Sequence, residues 1–218
     1  MTLVVARAVA LTVALQAAAA QGDANMDKVQ VLLARPPVLC GQFDQSKTMV
    51  GLRRPVKSAG RFCIVAEKGV LWTTVTPFPS TLRLTRDEII ESQGDKVTKR
   101  LSASQEPAVR IINDLLFSVM AGELKRLMSA FAVDATVDGK SWRAKLDPRE
   151  SGMKTVIAGI ELNGGEYVKH ITIREASGDR TDITFSGVVT GVQALLPAES
   201  QAFEPAKPRA TPPGGDAR

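Results

Sequence analysis

The sequence predicts a mainly β protein with helices, an α+β fold in which about ten strands make one strongly bent antiparallel sheet and a helical segment covers its mouth. Three observations predict it. Runs of alternating apolar and polar residues recur along most of the chain, the pattern of strands with one buried face. Turn dipeptides such as Gly94-Asp95 and Asp138-Gly139 separate those runs at hairpin spacing. One stretch, from Glu106 to Met128, changes to the helical period. At 218 residues and 44% apolar composition the chain can bury one sizeable core and is short for three domains.

The first stretch, MTLVVARAVALTVALQAAAAQGD, has an early charge at Arg7, an apolar run from Ala8 to Leu15, and small residues at Ala18 and Ala20. This is the pattern of a secretory signal over residues 1–20, cut near Ala20 or Gln21. It falls short of the roughly 20 apolar residues a membrane span needs. Nothing later is long and apolar enough to span, and no cysteine follows the cleavage region to carry lipid. The expectation is an exported, soluble protein without a lipid anchor.

MDKVQVLLARPP places Val29, Leu32 and Leu33 on one face of a short helix stopped by Pro36 and Pro37. In the strand VLCGQFDQSKTMV, Leu39, Gly41 and Phe43 share one side and Cys40, Gln42 and Asp44 the other. A hairpin turning near Leu52 and Arg53 sets Gly41 opposite Phe62 and Leu39 opposite Ile64. The same register pairs Cys40 with Cys63, the only two cysteines, on the outward side. In an oxidising compartment that predicts a disulfide. Val70, Trp72 and Thr74 share a face of the next strand before Pro77 and Pro79 break the ladder. EIIES and VTKRLS form a further hairpin. Val109, Ile112, Leu116 and Val119, with Leu115 beside them, then recur at helical spacing, and a second short helix carries Leu124, Leu127 and Met128.

The later strands can be registered from their turns. An Asp138-Gly139 turn pairs Ala135 with Trp142, Val133 with Ala144 and Phe131 with Leu146. An Asn163-Gly164 turn pairs Ile160 with Tyr167 and Val156 with Ile171, and a Gly164-Gly165 turn would slip that register. The loop at ASGDR pairs Ile173 with Ile183 and Ile171 with Phe185. After Leu196 the chain holds five of its twelve prolines and little that packs, so residues 197–218 are expected to be a disordered Pro/Ala-rich tail, dispensable for folding.

Removing Arg7 with the leader takes the formal charge from +5 to +4. Arg53 and Arg54, Lys99 and Arg100, and Lys125 and Arg126 are spread rather than clustered, which argues against nucleic-acid binding and leaves solvated faces with weak attraction to acidic surfaces. The single histidine, His170, falls on the outer face of a strand, and no His, Cys, Asp and Glu spacing marks a metal site. No nucleophile elbow, phosphate loop or dinucleotide fingerprint occurs. Asp87 and Glu88 are adjacent on a strand and diverge, so they make poor acid and base partners. No enzyme and no cofactor is nominated.

GQFDQSK (Gly41, Phe43, Gln45), SAGRFCI leading through KGVLW to TPFP, and LRLT resemble the opening half of the periplasmic outer-membrane lipoprotein carriers, the LolA family. The resemblance runs from about Val29 to Gly191, in motifs over its first half and in topology over its second. It implies a domain over 21–196 built as an unclosed antiparallel β-barrel of ten or eleven strands with a helical lid. Such a protein works in the periplasm as a monomer. Its apolar cavity takes the acyl chains of a lipoprotein from an inner-membrane ABC transporter and passes them to an outer-membrane lipoprotein receptor. The missing lipid-attachment cysteine favours the carrier over the receptor. Expected cavity residues are Phe43, Phe62, Ile64, Val70, Trp72, Leu82, Leu84, Trp142, Ile171, Ile173, Ile183 and Phe185, and expected lid residues are Ile112, Leu115, Leu116, Val119, Leu124 and Leu127. Where the best-known carriers have Arg-Pro, the arginine latching the lid, this chain has Lys68-Gly69; lysine is a point donor and not a fork. That departure leaves room for another acylated or polyene-like lipid as cargo. Two further readings stay open: a sensory or protein-docking module on the same scaffold, and a hydrolase or transferase acting on lipid-linked material.

Overall fold

A computed structural model describes residues 25–102, 117–118 and 124–203 of the chain. The alternating runs become β1 (Val38–Thr48), β2 (Val56–Val65), β3 (Gly69–Thr76), β4 (Ser80–Leu84), β5 (Glu88–Gln93) and β6 (Lys96–Ser102), then β7 (Phe131–Asp138), β8 (Ser141–Pro148), β9 (Ile157–Gly164), β10 (Val168–Glu175) and β11 (Arg180–Thr190). They form one antiparallel sheet in the order β6-β5-β4-β3-β2-β1-β11-β10-β9-β8-β7. Two hairpin meanders therefore meet at the β1–β11 pair, and β6 and β7 are left as unjoined edges. Lys96, Lys99 and Arg100 on exposed β6 guard that edge against pairing with another chain.

Residues 25–32 form helix α1, with Met26, Val29 and Leu33 buried. Each such side chain contributes about 1.5–3 kcal/mol. Asn25 Nδ2 donates to the Ala135 carbonyl at 2.8 Å and Ala34 N to the Glu166 carbonyl at 2.9 Å, so the helix is docked over β7 and the β9–β10 turn. A 3₁₀ turn spans Leu124–Ser129 and a short helix α2 spans Ser151–Lys154.

The β1–β2 register is the expected one: Cys40 faces Cys63, Gly41 faces Phe62 and Leu39 faces Ile64. Three later hairpins differ from expectation. Ala135 pairs with Ala144, Val133 with Leu146 and Phe131 with Pro148, because the two-residue turn is Gly139-Lys140, with Gly139 at φ 56°. Ile160 pairs with Ile173 and Leu162 with Ile171, because the β9–β10 turn holds Gly165 to Tyr167 and leaves Val156 outside the strand. Ile171 pairs with Ile183 and Ile173 with Thr181. Every slip is by an even number of residues, and since side chains alternate with period two, the apolar face survives each of them.

The outward side of β1 and β2 also departs from the sequence reading. Cys40 and Cys63 are bonded to each other and lie on the convex face, yet they are 0% and 1% exposed. Val38, Val65, Ala194 and Leu195 pack around them. What covers them is the chain after β11. A 3₁₀ turn at Val192–Ala194 leads into helix α3 (Pro197–Ala202), where a disordered tail was expected from residue 197. Arg61 reaches over from β2: its Nε donates to Glu199 Oε1 at 2.6 Å and its Nη2 to the Ala194 carbonyl at 2.6 Å. Glu199 is buried, and its other oxygen accepts from Leu196 N at 2.8 Å. Arg83 Nη1 donates to the Ala202 carbonyl, between the buried convex residues Leu71 and Ile90 of the neighbouring strands. Pro197 to Ala202 therefore belong to the folded domain; the expected tail beyond residue 203 lies outside the described residues, as does the expected signal at 1–20.

Candidate functional site

All twelve residues expected to line a cavity fall on the concave face and in one apolar cluster. Eight are buried: Phe43, Phe62, Ile64, Val70, Leu84, Trp142, Ile171 and Phe185. Four are half-buried: Trp72, Leu82, Ile173 and Ile183. Pairing explains how they converge, since Val70 and Trp72 sit between Ile64 and Phe62 on one side and Leu84 and Leu82 on the other.

Four aromatic rings form the centre of the β1–β3 and β11 portion. Phe43 stacks on Trp72 with centroids 3.8 Å apart, and Phe185 meets both Phe62 and Trp72 edge-on, at 5.0 and 6.0 Å. Such pairs add about 0.5–1.5 kcal/mol each beyond their burial. Gly41 makes the arrangement possible: a Cβ there would lie 2.8 Å from the Phe62 ring, which folds across the glycine. Trp142 occupies a different setting. Its Nε1 donates to the Gly165 carbonyl at 2.8 Å, and Ala135, Ala144 and Leu162 around it are fully buried. A pinned indole of this kind is core rather than a movable wall.

Of the expected lid, Leu124 and Leu127 are described, and both are buried in the same cluster, with Phe117 packed beside it. Ile112, Leu115, Leu116 and Val119 lie outside the described residues. Lys68 is exposed in the β2–β3 turn, where its backbone N donates to the Val65 carbonyl. Leu39, Ile89, Ile160 and Leu162 share the face without having been singled out for it. Their signal was the same alternation, which the even slip of the β9–β10 register leaves intact.

Charged groups gather on the opposite face. His170 sits between Thr184 and Thr172, with Nδ1 3.1 Å from Thr184 Oγ1 and Asp182 3.5 Å from Nε2. The Arg180 guanidinium, hydrogen-bonded to Asp182, and the Thr172 hydroxyl hold the Asp182 carboxyl below its ordinary range against the opposing effect of burial. Arg174 does the same for Glu161 through its hydrogen bond. At the β9–β10 turn, burial pushes the Tyr167 phenol up, and the neighbouring Glu166 carboxylate adds to it. Glu199 lies against Cys40 and Cys63, but the two sulfurs are bonded to each other, which leaves no thiolate to hold a metal. What faces the concave side is an apolar and aromatic wall suited to binding hydrocarbon.

The sequence model of a family described as outer membrane lipoprotein carrier protein LolA-like matches residues 17–203. No curated protein matches the chain. Among solved structures, a LolA superfamily protein from Nitrosomonas europaea aligns with TM-score 0.46 and 10% identity, over 84% of this chain and 97% of the other. A domain from Vibrio parahaemolyticus described as an outer membrane lipoprotein-sorting protein aligns with TM-score 0.44 and 9% identity, over 85% and 99%. The MucA/MucB complex of Pseudomonas aeruginosa aligns with TM-score 0.44 and 14% identity, over 86% of this chain and 60% of that one.

Proposed function

The chain belongs to the LolA-like outer membrane lipoprotein carrier family, and from that membership we propose that it is a periplasmic, non-enzymatic carrier whose concave face holds the acyl chains of lipoproteins in transit to the outer membrane. The observation that carries the reading is the half-buried group Trp72, Leu82, Ile173 and Ile183 around the Phe43, Phe62 and Phe185 rings. A wall of this kind gains by covering hydrocarbon. Each acyl CH₂ it removes from water contributes about 0.8 kcal/mol, so partial burial of a few chains offsets their exposure during transfer. Leu124 and Leu127, buried in the same apolar cluster, are the described part of the lid in this reading, and release follows when their packing competes with cargo. Lys68, exposed at the β2–β3 turn, is the residue this reading assigns as the latch.

In this scheme an inner-membrane ABC transporter loads the carrier, an outer-membrane lipoprotein receptor unloads it, and the protein works as a monomer. No helix among the described residues is long and apolar enough to cross a membrane. Native mass spectrometry of the purified mature protein tests the reading: masses displaced by one or more acylated species are expected. A protein that carries no acyl species, binds no acyl probe and instead co-purifies with a protein partner would overturn it in favour of a docking module.

A further inference from the structure

We infer that one end of the sheet is a contact surface for an anionic lipid bilayer, independent of what the concave face holds. The pairings of Lys47 with Val56, Ala59 with Thr76, and Thr48 with Arg180 bring the β1–β2 turn (49–55), the β3–β4 turn (77–79) and the β10–β11 turn to the same end. Thr81 beside Ser92 and Gln93 beside Lys96 add the β5–β6 turn to it. Of the eleven exposed large hydrophobic residues among the described residues, seven sit here: Val50, Leu52, Val56, Val75, Phe78, Val97 and Val156, whose carbonyl accepts from Ala176 N in the β10–β11 turn. Val50 and Phe78 are 72% and 78% exposed, which no single surface valine or phenylalanine would need explained but a row along one rim does.

The charge along the same rim points to the partner. From Gln45 to Ala66 the chain has five cations and no Asp or Glu. Lys47 is neutralised by Glu175 and Arg61 by Glu199. Arg53, Arg54 and Lys57 are exposed and form no ion pair among the described residues, and they flank Val50, Leu52 and Val56. Two carboxylates nearest the β1–β2 tip are committed to the protein's own groups: Asp179 accepts from Val50 N at 2.9 Å, and Asp182 is held by Arg180. The exposed Asp95 and Glu150 lie further along the rim, separated from the tip by β3 and β4 on one side and by β11 and β10 on the other. The Val50–Asp179 bond and the turn bond from Leu52 N to the Met49 carbonyl fix the tip with its apolar side chains outward. Apolar tips sink to the acyl boundary while flanking arginines keep their heads among anionic headgroups. A protein partner with an acidic, apolar face is the competing occupant.

Co-sedimentation of the mature protein with vesicles decides between them. Binding is expected to vesicles of phosphatidylethanolamine mixed with anionic phosphatidylglycerol, weaker without the anionic lipid and weaker as salt rises. Arg53→Glu with Arg54→Glu should reduce binding at least about tenfold. Val50→Ser with Leu52→Ser should reduce it severalfold while leaving the salt dependence in place. Arg143→Glu, an exposed change of the same sign on β8, should leave binding as in the wild type. All four side chains changed at the tip are exposed, so the variants are expected to melt as the wild type does. Failure of the wild type to sediment with anionic vesicles, or equal loss from Arg143→Glu, would overturn the inference and hand the rim to a protein partner or to net charge alone.

Discussion

On the β7–β9 side of the concave face Trp142 is 3% exposed, hydrogen-bonded to Gly165, and enclosed by Ala135, Ala144 and helix α1. On the β2–β4 side Trp72 is half-buried and stacks on Phe43. The convex faces behind them differ in the opposite sense. Behind β7 and β8 stand exposed Asp134, Thr136, Arg143, Lys145 and Asp147, with no apolar cover among the described residues. Behind β1 and β2 lie the buried disulfide, the Arg61–Glu199 pair and helix α3. The side packed from within is bare outside, and the side left accessible within is braced from behind. The half-buried wall around Trp72 is thus held from the face behind it and not from within.

The sharpest way to break this contrast is to truncate the two tryptophans in turn. Trp142→Ala removes a fully packed ring and orphans the Gly165 carbonyl, and should cost about 3–5 kcal/mol in urea unfolding. Trp72→Ala removes a ring already half in water and should cost roughly half as much, while affinity for an acyl probe falls more than for any change on the β7–β9 side. Equal losses of stability would mean that the two halves are one uniform core.

The brace is tested by Glu199→Ala, which leaves the Arg61 guanidinium without its carboxylate and Leu196 N without its acceptor. Loss of about 1–3 kcal/mol is expected. Glu161→Gln, which breaks the exposed Arg174 pair on the other half's convex face, should cost under about 1 kcal/mol. Both are read from denaturant midpoints. A silent Glu199→Ala would return Pro197 to Ala202 to the dispensable tail that the sequence suggested.

That suggestion failed for a physical reason. Arg61 and Glu199 are 138 residues apart, and neither alternation nor helical period carries a signal for a single ion pair across that distance. PAESQA has the composition of a linker, and its burial comes from what it covers. The concave face was legible because period two survives even register slips, so Phe43, Ile171 and Phe185 could be placed on it although Ile171 had the wrong partner. The Cys40–Cys63 pairing was legible because a hairpin symmetric about residues 51 and 52 fixes opposite positions without knowledge of the turn. Whether a residue on that face is pinned core, like Trp142, or open wall, like Trp72, depends on helix α1 and the Gly165 carbonyl. No local pattern at either tryptophan encodes that.

The smallest effect concerns the seam where the two halves meet, at β1 and β11. Asp182 on that seam is held below its ordinary pKa, first by the Arg180 hydrogen bond and also by Thr172 and His170. A carboxyl depressed in the folded state binds its proton more weakly there than in the unfolded chain. Its contribution to stability is therefore present above the unfolded value, near 3.9, and is lost as pH falls through the lower folded one. Stability should hold from neutrality to about pH 4 and decline below it, and Asp182→Asn should flatten part of that decline while changing the midpoint at pH 7 by under about 1 kcal/mol, because Arg180 is largely in water. Urea midpoints measured at neutral and acid pH for both proteins give the difference. An acid decline identical in the variant would place the pH-sensitive contact elsewhere, with Glu161 and its Arg174 partner the next carboxylate to test.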